Sequence, residues 1–356
     1  MITIDGAQKS GSGTIVRDAV PLAALTGRAL HLINIRARRR PSGLRPQHLQ
    51  AVRACAEMCE GGLKGDRVGS REIWFTPGRR IRGGYYRWDI GTAGSATMLA
   101  MCVLPLALFA DAPVTLSIRG GLFQDFAPSA FHFQQVFLPT LAAMGATVRA
   151  EIVQPGYVPT GGGELLVQVE PLLTPLKPLV REQPGRVVAV QGVALASHLA
   201  ERQVAHRMAR SAAEALESFR LPVEIQELND TREKPAFRRP APQPGAALAL
   251  WARTDTGCLL GMDMAGKVGR RAETIGKQVA CRLLEDIEQG ATVDRYLADQ
   301  LIPFAALARG TSTYRIPQVT DHVAARLWLT EQLLGSRWRI AERQVWIEGI
   351  GREPHQ

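Results

Sequence analysis

Gly83-Gly84-Tyr85-Tyr86-Arg87-Trp88-Asp89-Ile90-Gly91-Thr92-Ala93-Gly94-Ser95, followed by an apolar run to Ala110 and by Val114-Thr115-Leu116-Ser117-Ile118-Arg119-Gly120-Gly121, reads as strand, turn, helix and strand. Glycine pairs punctuate each change of element. Towards the C-terminus, Pro128 precedes a helix with Phe133, Val136, Phe137, Leu141 and Met144 on one face, closed by Gly145. Strands are expected over Val148 to Ile152 and Glu164 to Val169, split by Pro159 and Gly161-Gly162-Gly163. The same pattern lies upstream. Ile2-Thr3-Ile4 starts a strand, a Gly/Ser loop from Ser10 to Gly13 follows, and a helix-like segment ends near Gly27. Ala29 to Ile35 reads as a strand. Pro46-Gln47-His48 opens a helix with Leu49, Val52, Cys55, Ala56 and Cys59 at the 3, 4 spacing of one buried face. Gly61-Gly62 stops it, and Glu72 to Phe75 is a further strand. A unit of helix plus paired strands, recurring at roughly 60–70 residues, predicts tandem α+β modules sharing one core.

Prolines then accumulate (Pro171, Pro175, Pro178, Pro184), as at a boundary. Beyond it, strand Val187 to Leu195, a helix from about Ala200 to Phe219 and strand Val223 to Leu228 are expected. A proline-rich loop over 229–245 and strands Ala247 to Arg253 and Cys258 to Met262 complete a β-α-β-β insert. After Gly269 the earlier style returns. One helix carries Ile275, Val279, Leu283 and Ile287, and a last helix spans His322 to Leu334, with Asp321 as N-cap and Gly335 as stop. Strands Trp338 to Ile340 and Gln344 to Glu348 close the chain. The main unit is therefore drawn over 1–183 and 279–356, and the insert over 184–278.

The apolar content, 46%, excludes a largely disordered chain. No run reaches the ~18 uncharged apolar residues of a membrane span; the richest, Ala93 to Ala110, is broken by Pro105. The first residues carry no secretory leader pattern. The 5 cysteines, Cys55, Cys59, Cys102, Cys258 and Cys281, are scattered and form no zinc spacing. They read as thiols of a reducing, cytoplasmic compartment. A formal charge of +10, carried mostly by arginine, favours polyanionic partners, because guanidinium forks onto phosphate.

Among the 7 histidines, His31, His132, His198, His206 and His355 have ordinary settings. His48 and His322 stand at helix starts, where unpaired N–H groups disfavour an imidazolium and attract phosphate. A histidine kept neutral there is a fit nucleophile for phosphorus. Neither a P-loop nor a dinucleotide-binding fingerprint is present, so the loop Ser10-Gly11-Ser12-Gly13-Thr14-Ile15-Val16-Arg17 is a weak phosphate signal by itself. The cluster Arg36, Arg38, Arg39, Arg40 and Arg45 adjoins a strand end and a helix start, as a phosphate-reading patch would.

The ordered motifs Ile4-Asp5-Gly6, Gly43-Leu44-Arg45-Pro46-Gln47-His48, Gly69-Ser70, Ile90-Gly91-Thr92-Ala93-Gly94-Ser95, Ala127-Pro128, Gly161-Gly162-Gly163 and Tyr296-Leu297-Ala298-Asp299-Gln300 span nearly the whole chain. Together they resemble the RNA 3'-terminal phosphate cyclase family. The resemblance implies an α+β fold of tandem modules, each two helices on a four-stranded sheet, with a smaller inserted α/β domain. It implies an enzyme of the ligase class that forms phosphoric-ester bonds, using ATP and a divalent metal (Mg2+ or Mn2+), on RNA with a 3'-terminal phosphate. By the resemblance His322 is the nucleophile that takes AMP, and Tyr296, Leu297, Ala298, Asp299, Gln300 and Pro128 form the ATP site. Arg17, Arg39 and Gln47 form the phosphate and RNA site. No metal ligand is assigned. Ser10 stands where the family has Glu, Thr14 where it has Gln, Met101 where glutamine is common, and Ala325-Arg326 replace a Thr-Asn pair. The missing carboxylate bears on metal binding. A non-enzymatic RNA-binding or RNA-processing factor on the same fold is the alternative. An enolpyruvate transferase is a third reading that would not need His322.

Overall fold

The structure, a computed structural model, describes residues 1–217 and 222–354. In chain order the first module comprises strand β1 (Ile2–Asp5), helix α1 (Gly13–Thr26), β2 (Leu30–Ile33), α2 (Pro46–Met58), β3 (Gly62–Lys64) and β4 (Ile73–Thr76). Its sheet order is β1-β2-β4-β3, with one parallel pair, β1 and β2. The second module repeats this sentence: β5 (Gly84–Asp89), α3 (Ala96–Leu108), β6 (Val114–Gly120), a helical segment, β7 (Thr147–Gln154) and β8 (Gly163–Glu170). Its order is β5-β6-β8-β7, again with the first two strands parallel.

That helical segment is less regular than its apolar face predicts. A turn of α-helix, α4 (Ala130–His132), passes through a π turn (Phe133–Phe137) into α5 (Leu138–Ala143). Pro139 has no N–H to give to the preceding turn. The N–H of Leu138 reaches back to the carbonyl of Phe133 instead, which widens the helix there.

The third module is split. Its first strand, β9 (Val180–Arg181), precedes the insert: β10 (Val187–Ser197), a single 3-10 turn (Ala200–Arg202), α6 (Val204–Leu216), β11 (Val223–Asp230), β12 (Gly245–Thr254), β13 (Leu259–Ala265) and α7 (Ala272–Glu288). The expected end of the insert's first helix at Phe219 lies outside the described residues, as does His355. The third module then resumes with α8 (Leu297–Gln300), α9 (Ile302–Leu307), β14 (Arg309–Arg315), α10 (Asp321–Leu334), β15 (Arg337–Ala341) and β16 (Gln344–Ile350). Its order, β9-β14-β16-β15, matches that of the other two modules.

Three sheets thus share one winding, and the insert's, β11-β10-β12-β13, does not. The insert sheet is covered on both faces. Val193, Leu195, Ala247, Ala249 and Trp251 join the main core, while Val190, Ala194, Leu248 and Leu250 join a second core. This explains why β12 reads as a nearly unbroken apolar run. The second core also holds Ile275, Val279, Ala280 and Leu283, so α7 lies against α6 along its length, on both sides of residue 278. No helix among the described residues is long and apolar enough to cross a membrane.

Helices α1, α2, α3 and α10 pack together at the centre. Three of their starts, those of α1, α3 and α10, are capped by hydroxyls. Ser12 accepts from Thr14 N in α1, Ser95 from Met98 N in α3, and Thr320 from Val323 N in α10. Thr320 therefore takes the cap expected of Asp321, and Asp321 occupies the first turn, where its charge meets the positive end of the helix. Gly335, at φ 75°, ends α10 as its sequence predicts.

Candidate active site

Thr14 and His322 each lie one residue inside a helix, and the pairing of α1 with α10 brings those two starts together. Thr14 Oγ1 and His322 Nδ1 are 2.8 Å apart. The seating of this first turn of α1 against α2 depends on glycine. A Cβ at Gly13 would stand 2.0 Å from His48 Nε2. His48 is buried beneath this turn, its Nδ1 accepting from the N–H of Arg45 at 3.4 Å. Burial, and then the charges of Arg17, Arg36 and Arg45, push the His48 imidazole down to about 2. It is a neutral support for the loop, not a reactive group.

His322 is half-buried. Burial lowers its pKa below the usual value; Asp299 opposes that, and Arg326, Arg17 and Arg39 add to the fall. The ring is therefore neutral at pH 7. In the tautomer whose Nδ1–H donates to Thr14 Oγ1, the Nε2 lone pair is free. Arg39 is exposed yet close enough for its charge to act on this ring. Arg17 Nε is buried with no hydrogen-bond partner among the described residues.

One side chain behind the imidazole was not legible as a site residue. Arg326, one helical turn beyond His322, is 2% exposed. Its Nε donates to Asp18 Oδ2 at 2.7 Å and its Nη1 lies 3.4 Å from Asp299 Oδ2. Asp18 and Arg326 sit on otherwise apolar stretches of α1 and α10. Opposite charges on two apolar helix faces are the only sequence signal for this pair. Burial raises the Asp299 carboxyl, with Arg326 and His322 opposing that rise.

The other flank of the site is built on α8. Tyr296 precedes it, and its hydroxyl donates to Asp263 Oδ1 of β13 at 3.2 Å. Asp263 Oδ2 accepts from Ser129 N at 2.7 Å, next to Pro128. The carbonyl of Pro128 in turn accepts from Thr97 Oγ1 at 2.7 Å. Leu297 and Ala298 are core residues, their N–H groups held by Asp294 Oδ1 and by the Asp294 carbonyl. Gln300 is buried, its amide 3.9 Å from Met98 Sδ, and it lines a small internal cavity with Arg17, Met98, Met101 and Arg326. Gln47 lies apart from His322 in the hydrogen-bond network: its Oε1 accepts from Ser95 N at 3.3 Å.

A second group that sequence reasoning passed over is His132. Its Nε2 is 2.9 Å from Asp294 Oδ2, both are buried, and its ring stands edge-on to Tyr296 at 5.1 Å. Burial lowers the His132 pKa, but the charge and hydrogen bond of Asp294 outweigh it and the net shift is upward.

The donor set does not fit a protein-held metal ion. Among the described residues no three His, Cys, Asp or Glu side chains gather as ligands. Ser10 Oγ is turned to Ser12 Oγ at 3.0 Å, and Asp18 and Asp299 are engaged by Arg326.

Fold and site define first a class: three like-wound α+β modules, an inserted fourth sheet, and a neutral imidazole set among arginines where two helices begin. The family model described as RNA 3'-terminal phosphate cyclase matches residues 8–340. A protein of Methanothermobacter thermautotrophicus named RNA 3'-terminal phosphate cyclase is 38% identical over 340 residues, covering 96% of each chain. Proteins with the same name from Methanopyrus kandleri and Nitrosospira multiformis are each 37% identical, over 341 residues (94% of this chain, 93% of the relative) and 342 residues (96% and 94%). The chain belongs to the RNA 3'-terminal phosphate cyclase family.

Proposed function

We propose that this chain is an ATP-consuming enzyme that converts an RNA 3'-terminal phosphate into a 2',3'-cyclic phosphate through His322. The observation that carries the reading is the neutral His322 ring, pinned at Nδ1 by Thr14 and flanked by Arg17 and Arg39. Nε2 attacks the α-phosphorus of ATP; the bond to the bridging oxygen breaks and pyrophosphate leaves. An oxygen of the RNA 3'-phosphate then takes AMP from the nitrogen. Finally the neighbouring 2'-hydroxyl attacks that phosphorus, loses its proton, closes the ring and expels AMP. AMP leaves readily where a bare phosphate oxygen would not. The arginines offset the charge gathered on phosphate oxygens at each step. Tyr296 and Pro128 hold the adenine, and Asp299 and Gln300 the nucleotide near the imidazole. No step is assigned to a protein-bound metal. The five free thiols fit a reducing compartment, and we place the protein in the cytoplasm.

The test is direct. RNA ending in a labelled 3'-phosphate, incubated with protein and ATP, is expected to become phosphatase-resistant while AMP and pyrophosphate appear in equal amounts. Phosphate that stays removable under all conditions excludes the enzyme. The alternative, an RNA-binding factor without turnover, draws on the Ser10–Ser12 hydroxyl pair standing where a carboxylate is expected. It would bind the RNA and leave its end unchanged.

A further inference from the structure

A second feature lies on the surface where the insert meets the second module. A pocket of about 610 Å³ opens there between the first turns of α6 and α7. Arg202, Arg207, Lys267, Arg270 and Arg271 line it over an apolar floor that includes Ile275, and no acidic side chain lines it. Arg207 is held by Glu273 at 2.7 Å and Arg270 by Asp125 through two contacts of 2.8 and 2.9 Å. Arg202, Lys267 and Arg271 are exposed, and among the described residues none has a carboxylate within ion-pair distance. The pocket thus holds more cations than the two carboxylates beside it, Glu273 and Asp125, can pair.

The Arg270–Asp125 pair leads to the second observation. Next to Asp125 stands Phe126, fully exposed and at φ 68°. A bulky residue is rarely found in the left-handed region, and an aromatic ring is rarely left wholly in water. Two residues on is Pro128, at the adenine flank of the candidate site. The pocket is tied to the phosphate flank as well. Its wall includes Val158 and Pro159, and the same loop continues to Gly161, where a Cβ would stand 2.8 Å from Ala93. Ala93 precedes Ser95, which holds Gln47. The ring thus lies two residues from Pro128, and the pocket wall is linked through Gly161 and Ala93 to the turn that holds Gln47.

We propose that single-stranded RNA on the 5' side of the reacting end crosses this surface, one base stacking on Phe126 and the backbone phosphates lying in the cationic pocket. The proposal rests on the RNA reading above. Its chemistry is that of any single-strand path: cations follow phosphates, and a free ring takes a base of any identity.

The test measures binding of a fluorescent 20-nucleotide RNA with a 3'-phosphate by the full chain, without ATP, at several salt concentrations. Changing Arg202→Glu, Lys267→Glu and Arg271→Glu together is expected to weaken binding at least tenfold and to flatten the salt dependence by about 2 in log–log slope. A 3'-phosphorylated dinucleotide, which carries little more than the reacting end, should bind the variant as it binds the parent. Phe126→Ala should weaken the long RNA about tenfold, and Phe126→Trp should restore it. Unchanged binding of the long RNA, or equal loss for the dinucleotide, overturns the proposal. So does a charge-reversed protein that loses ATP rather than RNA, since the pocket would then serve a free nucleotide. If the parent protein cyclises nothing but these variants still lose RNA, the catalytic reading fails and the surface stands.

Discussion

Two buried histidines flank the candidate site, and their surroundings shift them in opposite directions. His48, under the phosphate side, is ringed by arginines and kept neutral. His132, beside Tyr296 on the base side, faces Asp294 and is favoured as the cation. The flanks differ in charge rather than in satisfaction, since among the described residues each holds a buried nitrogen without a hydrogen-bond partner, His132 Nδ1 on the base side and Arg17 Nε on the phosphate side. On the base side Asp294 accepts from His132, Gly261, Tyr296 and Leu297, and Asp263 from Ser129 and Tyr296. On the phosphate side Arg17 Nε has no hydrogen-bond partner among the described residues and Arg39 is exposed. A pocket for a flat base gains from rigid walls. A place where charge arrives and moves needs donors left uncommitted. The buried charge centre behind the phosphate side is Arg326, which pairs with two carboxylates, Asp18 and Asp299.

The largest effect should come from breaking that centre. Arg326→Leu strands Asp18 and Asp299 in the core and is expected to cost about 3–5 kcal/mol, read as a lower urea midpoint. A midpoint near the parent's would show that the carboxylates are not committed to this arginine.

The histidines sharpen the contrast through pH. His48 has a folded pKa far below its unfolded value of ~6.5, so the unfolded chain binds the extra proton. Its contribution is complete above ~6.5 and lost as pH falls, at about 1.4 kcal/mol per pH unit just below that point. His132 has the opposite sign: its contribution is present below the unfolded pKa and lost as pH rises through the raised folded value. Denaturation curves across pH should therefore flatten on the acid side for His48→Asn and on the alkaline side for His132→Gln. The same flattening in both variants would contradict the opposed shifts.

Thr14→Val removes the partner of His322 Nδ1 and should slow AMP transfer to the protein about tenfold at unchanged melting temperature, with Thr14→Ser restoring it. No change in rate would leave the tautomer to another group. The smallest effect is expected at the exposed edge. Arg39→Ala should raise KM for 3'-phosphorylated RNA severalfold and leave folding untouched. Equal KM values would take Arg39 out of the site.

Much of this was legible along the chain. Glycine pairs and apolar spacing located α2, α3, β5, β6, β7 and β8 within a few residues, and the proline cluster marked where the third module is interrupted. What stayed hidden depends on pairing across long separations. β9 is two residues long and meets Thr313 and Tyr314 only across the whole insert. The Arg326–Asp18 contact spans 308 residues and the His132–Asp294 contact 162. His322 was singled out by its place at a helix start and by motif. Its partner Thr14 appeared in the sequence as part of a weak phosphate loop and as a departure from the family pattern, and the meeting of α1 with α10 gives that departure a contact.

The claim on which the account turns is that the imidazole of His322 takes AMP. Purified protein incubated with α-labelled ATP, without RNA, and then digested and mapped answers it. The account predicts an acid-labile, alkali-stable label on the peptide holding residue 322, absent from His322→Ala and retained by His48→Asn. No label on the parent, or an equal label on His322→Ala, would contradict it.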